Sequence, residues 1–409
     1  MALAVDSPAL TSRAAAEAYV GGVCFKLGPP ELVGAELEWL TACPGDDLRR
    51  PSPQRLAGAL GHHAPTSVAP ESPAIPLPGG SAVTVEPGGQ IELSSAPHAS
   101  VRELCTAMSA DSAELMSLLR SAAIAPVPGA ADRERSADRI LQHPRYAAME
   151  QLFTRVGPFG KLMMCNTAAV QVSVDAGIDR AQARRRWQLL NAIGPALVAA
   201  FADSPRLCGA PGDEWASQRM RTWLELDRDR TRAPEGSPVP VADYAAWSLD
   251  VPLLCVVGSG SSWAAPEGAS FADWIDGALD DELGREPTTK DLDYHLTTLF
   301  PPVRARGHLE VRYLDAQPGD GWRVPIAVVA ALTSSEAVAE QALSIADGTV
   351  GQWRTAARRG LRDGELRGAA VQLLELAAAH AEDAGFAGEI GLAAARCRRR
   401  LSPSQERNR

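Results

Sequence analysis

Lysine is nearly absent from this sequence: of 40 basic residues only Lys26, Lys161 and Lys290 are lysine. The bias is compatible with genomic composition, although arginine also suits bidentate carboxylate and phosphate binding. Aromatic residues supply 5% of the chain. The seven cysteines, at 24, 43, 105, 165, 208, 255 and 397, are odd in number and form no CxxC pair. Neither a disulfide scaffold nor a zinc knuckle is supported. Cys165, among Met163, Met164 and Ala168, reads as a small buried hydrophobe rather than a nucleophile. No stretch approaches roughly 18 uninterrupted apolar residues, and no basic segment adjoins an apolar run at the N-terminus. A reduced, cytoplasmic location is the expectation. The run Gly258-Ser259-Gly260-Ser261 lacks the glycine-lysine-serine/threonine ending of a P-loop. The histidines form no convincing metal cluster, and no Ser-His-Asp signal appears.

A net charge of −10 argues against nucleic acid or an anionic membrane as the main partner, and no obligate protein partner is evident. The 45% hydrophobic and 22% charged composition is that of a soluble globular protein. At 409 residues the chain exceeds a comfortable single core, yet no clear linker divides it. One domain is therefore expected over residues 13–395. It carries a loop-rich insertion near 44–78, rich in proline, alanine and serine, and a flexible basic tail over 396–409.

The clearest local signal is Val83-Thr84-Val85-Glu86-Pro87-Gly88-Gly89-Gln90-Ile91-Glu92-Leu93-Ser94. Alternation marks two strands, and Pro87-Gly88-Gly89 forces a tight bend between them. Period two sends Ile91 and Leu93 to one face, and Gln90, Glu92 and Ser94 to the other. Leu32–Leu40 repeats the pattern, with Glu36 and Glu38 opposite Leu37 and Trp39. Each stretch alone suits an exposed strand with a wet face. Together, four glutamates sharing one sheet face would repel each other, and divalent cations would relieve that repulsion.

Two further strands follow the same design. Val170, Val172 and Val174 alternate with Gln171, Ser173 and Asp175, and Leu309 and Val311 alternate with Glu310 and Arg312. Residues 124–135 read as a charged turn. Helical spacing covers Ser100–Ala123, Asp179–Phe201, Ser270–Leu283, Val324–Ala346 (interrupted near Pro325) and Glu365–Ala384. The segment Arg219–Thr231 is dense in both charges, which suits either i,i+4 pairs on a helix or a charged substrate.

On these motifs the chain resembles glutamate–cysteine ligases of the plant and bacterial branch, including the actinobacterial ergothioneine-pathway group, within the glutamine-synthetase-like ligases. The resemblance rests on Gly34–Glu38, Glu86–Ser94, the Met163–Asp175 strand region, Trp223 with Asp227 and Asp229, His295–Phe300 and Leu309–Arg312. It implies an α+β fold, a curved and mainly antiparallel sheet with packed helices. It also implies ATP- and Mg2+-dependent joining of the L-glutamate γ-carboxylate to the L-cysteine amine. Glu36, Glu38, Glu86, Glu92 and Glu310 match metal-ligand positions, and Gln171 a position reaching the metal region. Arg219 matches the arginine that holds substrate glutamate. Arg312 matches the phosphate-facing arginine, with Arg304 a weaker candidate for the same anionic region; Glu310 and Arg312 are the catalytic candidates. The pocket that selects cysteine is unmarked. A ligase for another amine and an inactive nucleotide-sensing relative stay open.

Overall fold

The alternating segments become strands β1 (Val33–Ala42), β2 (Ala82–Val85), β3 (Ile91–Ser94), β4 (Ala125–Val127), β5 (Ala169–Val174), β6 (Val303–Ala305) and β7 (Leu309–Asp315). These come from a computed structural model that describes residues 8–28, 31–45, 49–212, 215–232, 234–258 and 262–407. The Ser259–Ser261 part of the small-residue run lies outside the described residues.

The strands lie in the order β2-β3-β1-β5-β7-β6, with β4 beside the far half of β1. Every pairing among them is antiparallel. Because the side-chain period is two, Ala35, Leu37, Val83, Val85, Ile91, Leu93, Val170, Val172, Leu309, Val311 and Tyr313 all fall on one face, where all are buried. The helices Val101–Ser121, Gly194–Phe201 and Arg323–Leu332 pack behind the sheet. That core runs from Leu10 to Cys397. A second apolar cluster, built on Met149, Phe153, Met163, Met164 and Phe300, lies apart from it.

The β2–β3 bend forms as its residues dictate. Glu86 N donates to Gln90 O at 2.9 Å, and Gly89 takes φ +87°, a conformation that glycine adopts freely. Gly88 is required for a different reason: a Cβ there would lie 2.4 Å from the Cys165 carbonyl oxygen. The bend is thus pressed onto the helix Phe159–Asn166.

Several expectations are corrected. Part of the 124–135 turn is β4, because β1 extends beyond its pairings with β3 and β5 and leaves an edge free; Pro126 is tolerated on such an edge. The start of the Met163–Asp175 region, through Asn166, is helix rather than strand. The helix expected over 179–201 breaks at Ile193, and a second helix, Gly194–Phe201, begins with Pro195 in its first turn. Pro325 causes no interruption, since it occupies the first turn of Arg323–Leu332, where its missing N–H costs nothing.

The segment expected as a tail contains helical structure. The helix Ala384–Arg398 crosses the boundary drawn at 395, and a further helix spans Pro403–Arg407. Arg396 is 4% exposed and donates to Ala200 O and Leu401 O. Asp203 accepts from Ser402 Oγ and Ser404 N, each at 3.0 Å. These buried hydrogen bonds are what basic composition alone conceals. The 44–78 insertion contains the Ser52-capped helix Pro53–Leu60. Just ahead of it, Arg50 donates to the carbonyls of Gly88 and Cys165; residues 46–48 lie outside the described residues.

Candidate active site

The polar face of the sheet bears Glu36 and Glu38 on β1, Glu92 on β3, Gln171 on β5, Arg304 on β6, and Glu310 and Arg312 on β7. Register brings them together. Glu38 stands directly opposite Glu92, and Glu36 lies between Ser94 and Gln171. Glu86 joins them from the β2–β3 bend. A cavity of about 460 Å3 opens over this face, lined by Glu36, Glu38, Glu86, Gln90, Glu92, Gln171, Arg219, Arg304 and Arg312.

Gln171 is the hinge of the polar layer. Its Nε2 donates to Glu36 Oε2 at 2.8 Å and Glu38 Oε1 at 3.1 Å, and its Oε1 accepts from Arg312 Nη1 at 2.7 Å. Glu36 also accepts from Ser94 Oγ, Glu38 from Ala169 N and Glu92 from Thr84 Oγ1. These bonds fix the carboxylates without neutralising them. Burial and the charge of Glu310 push the Glu36 carboxyl up. Burial and Glu86 push Glu38 up to about 7, although Arg219 pulls against the rise. Glu86 is raised by burial and Glu36. Burial and the other three glutamates raise Glu92 well above the ordinary range.

Glu310 behaves in the opposite way. Arg304 Nε and Arg312 Nη1 each lie 2.8 Å from its Oε2. Burial alone would raise this carboxyl; the two arginines hold it well below its ordinary value. Glu310 does not line the cavity; its carboxylate stands as counter-ion between the two arginines.

Arg219 arrives on the helix Gln218–Leu226, capped by Ser217. It is 2% exposed, and its Nη2 donates to Arg312 O at 2.7 Å. Trp223, one turn on, lines the same cavity, with the Arg312 guanidinium 5.4 Å from its ring centroid. Other members of the expected motifs have structural duties. Asp227 caps Arg228–Thr231 and pairs with Arg230 at 3.2 Å, and Asp229 does not line the cavity. His295 is buried with Nε2 2.7 Å from Ser248 O, and Asp175 accepts from Leu32 N away from the cavity.

Sequence reasoning missed part of the wall. Arg145, Tyr146 and Met149 come from the helix Pro144–Val156, Met163 and Met164 from Phe159–Asn166, and Arg306 from the β6–β7 turn. Arg145 is steadied by Thr297, donating to its Oγ1 at 2.7 Å and its carbonyl at 2.9 Å. Nothing in the local pattern marks Arg145; it reaches the site because its helix packs against Phe159–Asn166 and its side chain is held by Thr297. The cavity therefore has a carboxylate floor, an arginine side and a lobe of methionine and aromatic side chains.

Among the described residues, no group of three His, Cys, Asp or Glu side chains is already converged on a metal position. The donor chemistry nevertheless fits a hard divalent cation. Glu36, Glu38, Glu86 and Glu92 offer oxygens only, and their mutual repulsion is what a bound cation would relieve.

Residues 32–407 match the family described as Glutamate-cysteine ligase family 2(GCS2). The chain is 38% identical to the Glutamate--cysteine ligase EgtA of Mycobacterium tuberculosis over 92% of this chain and 85% of that one. It is 37% identical to the EgtA of Mycolicibacterium smegmatis over 91% and 85%. Among solved structures, a Francisella tularensis glutamate–cysteine ligase in complex with AMP superposes with TM-score 0.54 at 14% identity, over 93% of this chain and 85% of that one. That likeness supports the fold, an α+β arrangement of antiparallel sheet and packed helices. By the extent of the family match, and by its identity to relatives along nearly its whole length, the chain belongs to glutamate–cysteine ligase family 2.

Proposed function

We propose that this protein joins the γ-carboxylate of L-glutamate to the amine of L-cysteine, consuming ATP and giving γ-glutamylcysteine, ADP and phosphate. The observation that carries this reading is the opposition, within one cavity, of unneutralised glutamates and a set of fixed arginines. A carboxylate is a poor electrophile, because its oxide is a poor leaving group. In this reading its oxygen attacks the ATP γ-phosphorus, the bond to ADP breaks, and a γ-glutamyl phosphate results. The amine then attacks the acyl carbon and phosphate leaves with the electron pair of the C–O bond. No protein nucleophile is needed; positioning and charge stabilisation are.

Arg219 is assigned to the carboxylate of substrate glutamate, since its guanidinium reaches the cavity with most of its donors uncommitted. Arg312 and Arg304, held by Glu310, are assigned to the phosphates of ATP. Gln171 keeps Arg312 and the Glu36–Glu38 pair in register. Glu36, Glu38, Glu86 and Glu92 are the proposed holders of Mg2+, and Glu310 would join them only by exchanging an arginine contact. When bound, the cation supplies neutralisation of the transferring phosphoryl group. The methionine and aromatic lobe around Tyr146, Met149, Met163 and Phe300 suits a small, polarisable acceptor side chain such as a thiol.

The same reading includes a cytoplasmic location and use of the product in ergothioneine synthesis. All seven cysteines are free, and no single helix among the described residues is long and apolar enough to cross a membrane. The test is direct. Purified protein given glutamate, cysteine, ATP and Mg2+ should release ADP and phosphate in step with γ-glutamylcysteine, read by mass spectrometry. Turnover with another amine but none with cysteine would replace the acceptor. Nucleotide binding with no turnover would favour a sensor.

A further inference from the structure

Asp315, the last residue of β7, is a buried carboxylate that the chemistry above does not use. Its Oδ2 accepts from Ser204 Oγ at 2.7 Å and Asp203 N at 2.8 Å, and its Oδ1 from Ser217 Oγ at 2.8 Å. All three donors are neutral. Burial raises this carboxyl while the three hydrogen bonds favour its charged form, and a buried carboxylate calls for a compensating cation nearby.

The cation whose charge bears most on Asp315 is Arg219. Its guanidinium is buried, where it meets the Arg312 carbonyl at 2.7 Å and the Met220 sulfur at 3.7 Å. Burial works against its charge, and the largest electrostatic support comes from Asp315, ahead of Glu38. Reciprocally, Arg219 is the main charge offsetting the burial of Asp315.

A second connection runs through the two serines. With their hydroxyl protons directed at Asp315, Ser204 Oγ accepts from Arg219 N at 3.1 Å, and Ser217 Oγ from Met220 N at 3.0 Å. These are first-turn N–H groups of Gln218–Leu226, which have no partners within the helix. Asp315 thus orients the hydroxyls as acceptors for the helix start that delivers Arg219 and Trp223 to the cavity. Asp203, the neighbouring link, ties the same assembly to Ser402 and Ser404.

We propose that Asp315 is the positioning residue for Arg219, setting the affinity for the carboxylate substrate without touching it. The inference rests on the assignment of Arg219 to substrate glutamate. Asp315→Asn keeps the shape and removes the charge. It should raise the glutamate KM about tenfold or more while leaving kcat and the ATP KM within about twofold. Combined with Arg219→Lys, it should add little to the rise caused by Arg219→Lys alone, because both changes disable one unit.

An unchanged glutamate KM overturns the inference. So does an equal rise in both KM values, or multiplicative effects in the double variant. Wild-type protein without glutamate-dependent ADP formation would instead remove the functional reading, and the inference with it. If Asp315→Asn does not fold, Ser204→Ala retains the charge and removes one of its donors. The same selective rise, about threefold, is then expected, and a proportionate change in both KM values overturns the proposal.

Discussion

On β1 and β3, Glu38 and Glu92 face each other across the register, and no ion pair neutralises either among the described residues. On β6 and β7, Arg304 and Arg312 close on Glu310, each at 2.8 Å. The two regions share one sheet face, with Glu310 buried and Glu38 and Glu92 half-buried. Their carboxyls nevertheless move in opposite directions: Glu38 rises to about 7, and Glu310 falls below its ordinary value. Burial alone would raise both. The difference is the partner. The arginine side is complete within the protein, whereas the glutamate side is electrostatically unfinished and gains from a cation delivered with the nucleotide.

Breaking the complete side should have the largest consequence. Arg312→Ala removes one of the Glu310 partners, the donor to Gln171 and the proposed phosphate contact together. We expect kcat/KM to fall about a hundredfold or more, equivalent to ~2.7 kcal/mol. ADP release at varied ATP measures it, and a loss smaller than about threefold would mean that Arg312 is structural only.

Altering the unfinished side should divide activity from stability. Glu36→Gln or Glu92→Gln is expected to lower turnover about tenfold, ~1.4 kcal/mol. Because each removes a repelling charge, the metal-free protein should melt a few degrees higher. Steady-state rates at varied Mg2+, with melting in chelator, read the two effects separately. Near-normal rates and unchanged Mg2+ dependence in both variants would reduce this face to a solvated strand surface.

The smallest effect concerns pH without mutation. Glu38 has a folded pKa raised from 4.5 to about 7, so between those values the folded state binds the extra proton. Stability should therefore fall as pH rises through that window, by at most ~3 kcal/mol, with water in the cavity reducing the figure. Melting in chelator should give a lower midpoint at pH 8 than at pH 5, and excess Mg2+ should narrow the gap at pH 8. A midpoint that rises across this window in chelator would contradict the unfinished-charge account.

The sheet face was readable because its signal is local. In Glu36-Leu37-Glu38 and Ile91-Glu92-Leu93 the alternation states which side chains share a side, and Pro87-Gly88-Gly89 states where the chain reverses. The break at Ile193 was harder to see, since the apolar spacing runs on through it. Pro195 ends the first helix locally, since it lacks the N–H a continuing helix needs, but the glycine before it answers a distant residue: a Cβ on Gly194 would lie 2.0 Å from the Trp353 ring. The buried Arg396 was equally hidden, because its partners on Ala200 and Leu401 are backbone carbonyls that no pattern of side chains reveals.

By itself, the sequence determined which residues alternate, where the tight bend falls and that four glutamates turn away from the apolar core. Those properties follow from strand geometry and turn chemistry within a few residues. Only the tertiary structure decided that β5 lies between β1 and β7, so that Gln171 bridges Glu36 and Arg312. It also brought Arg145 across from a separate helix and set Asp315 behind Arg219. Periodicity gives a side chain its face but not its neighbour, because neighbours are chosen by register and packing between segments far apart in the chain.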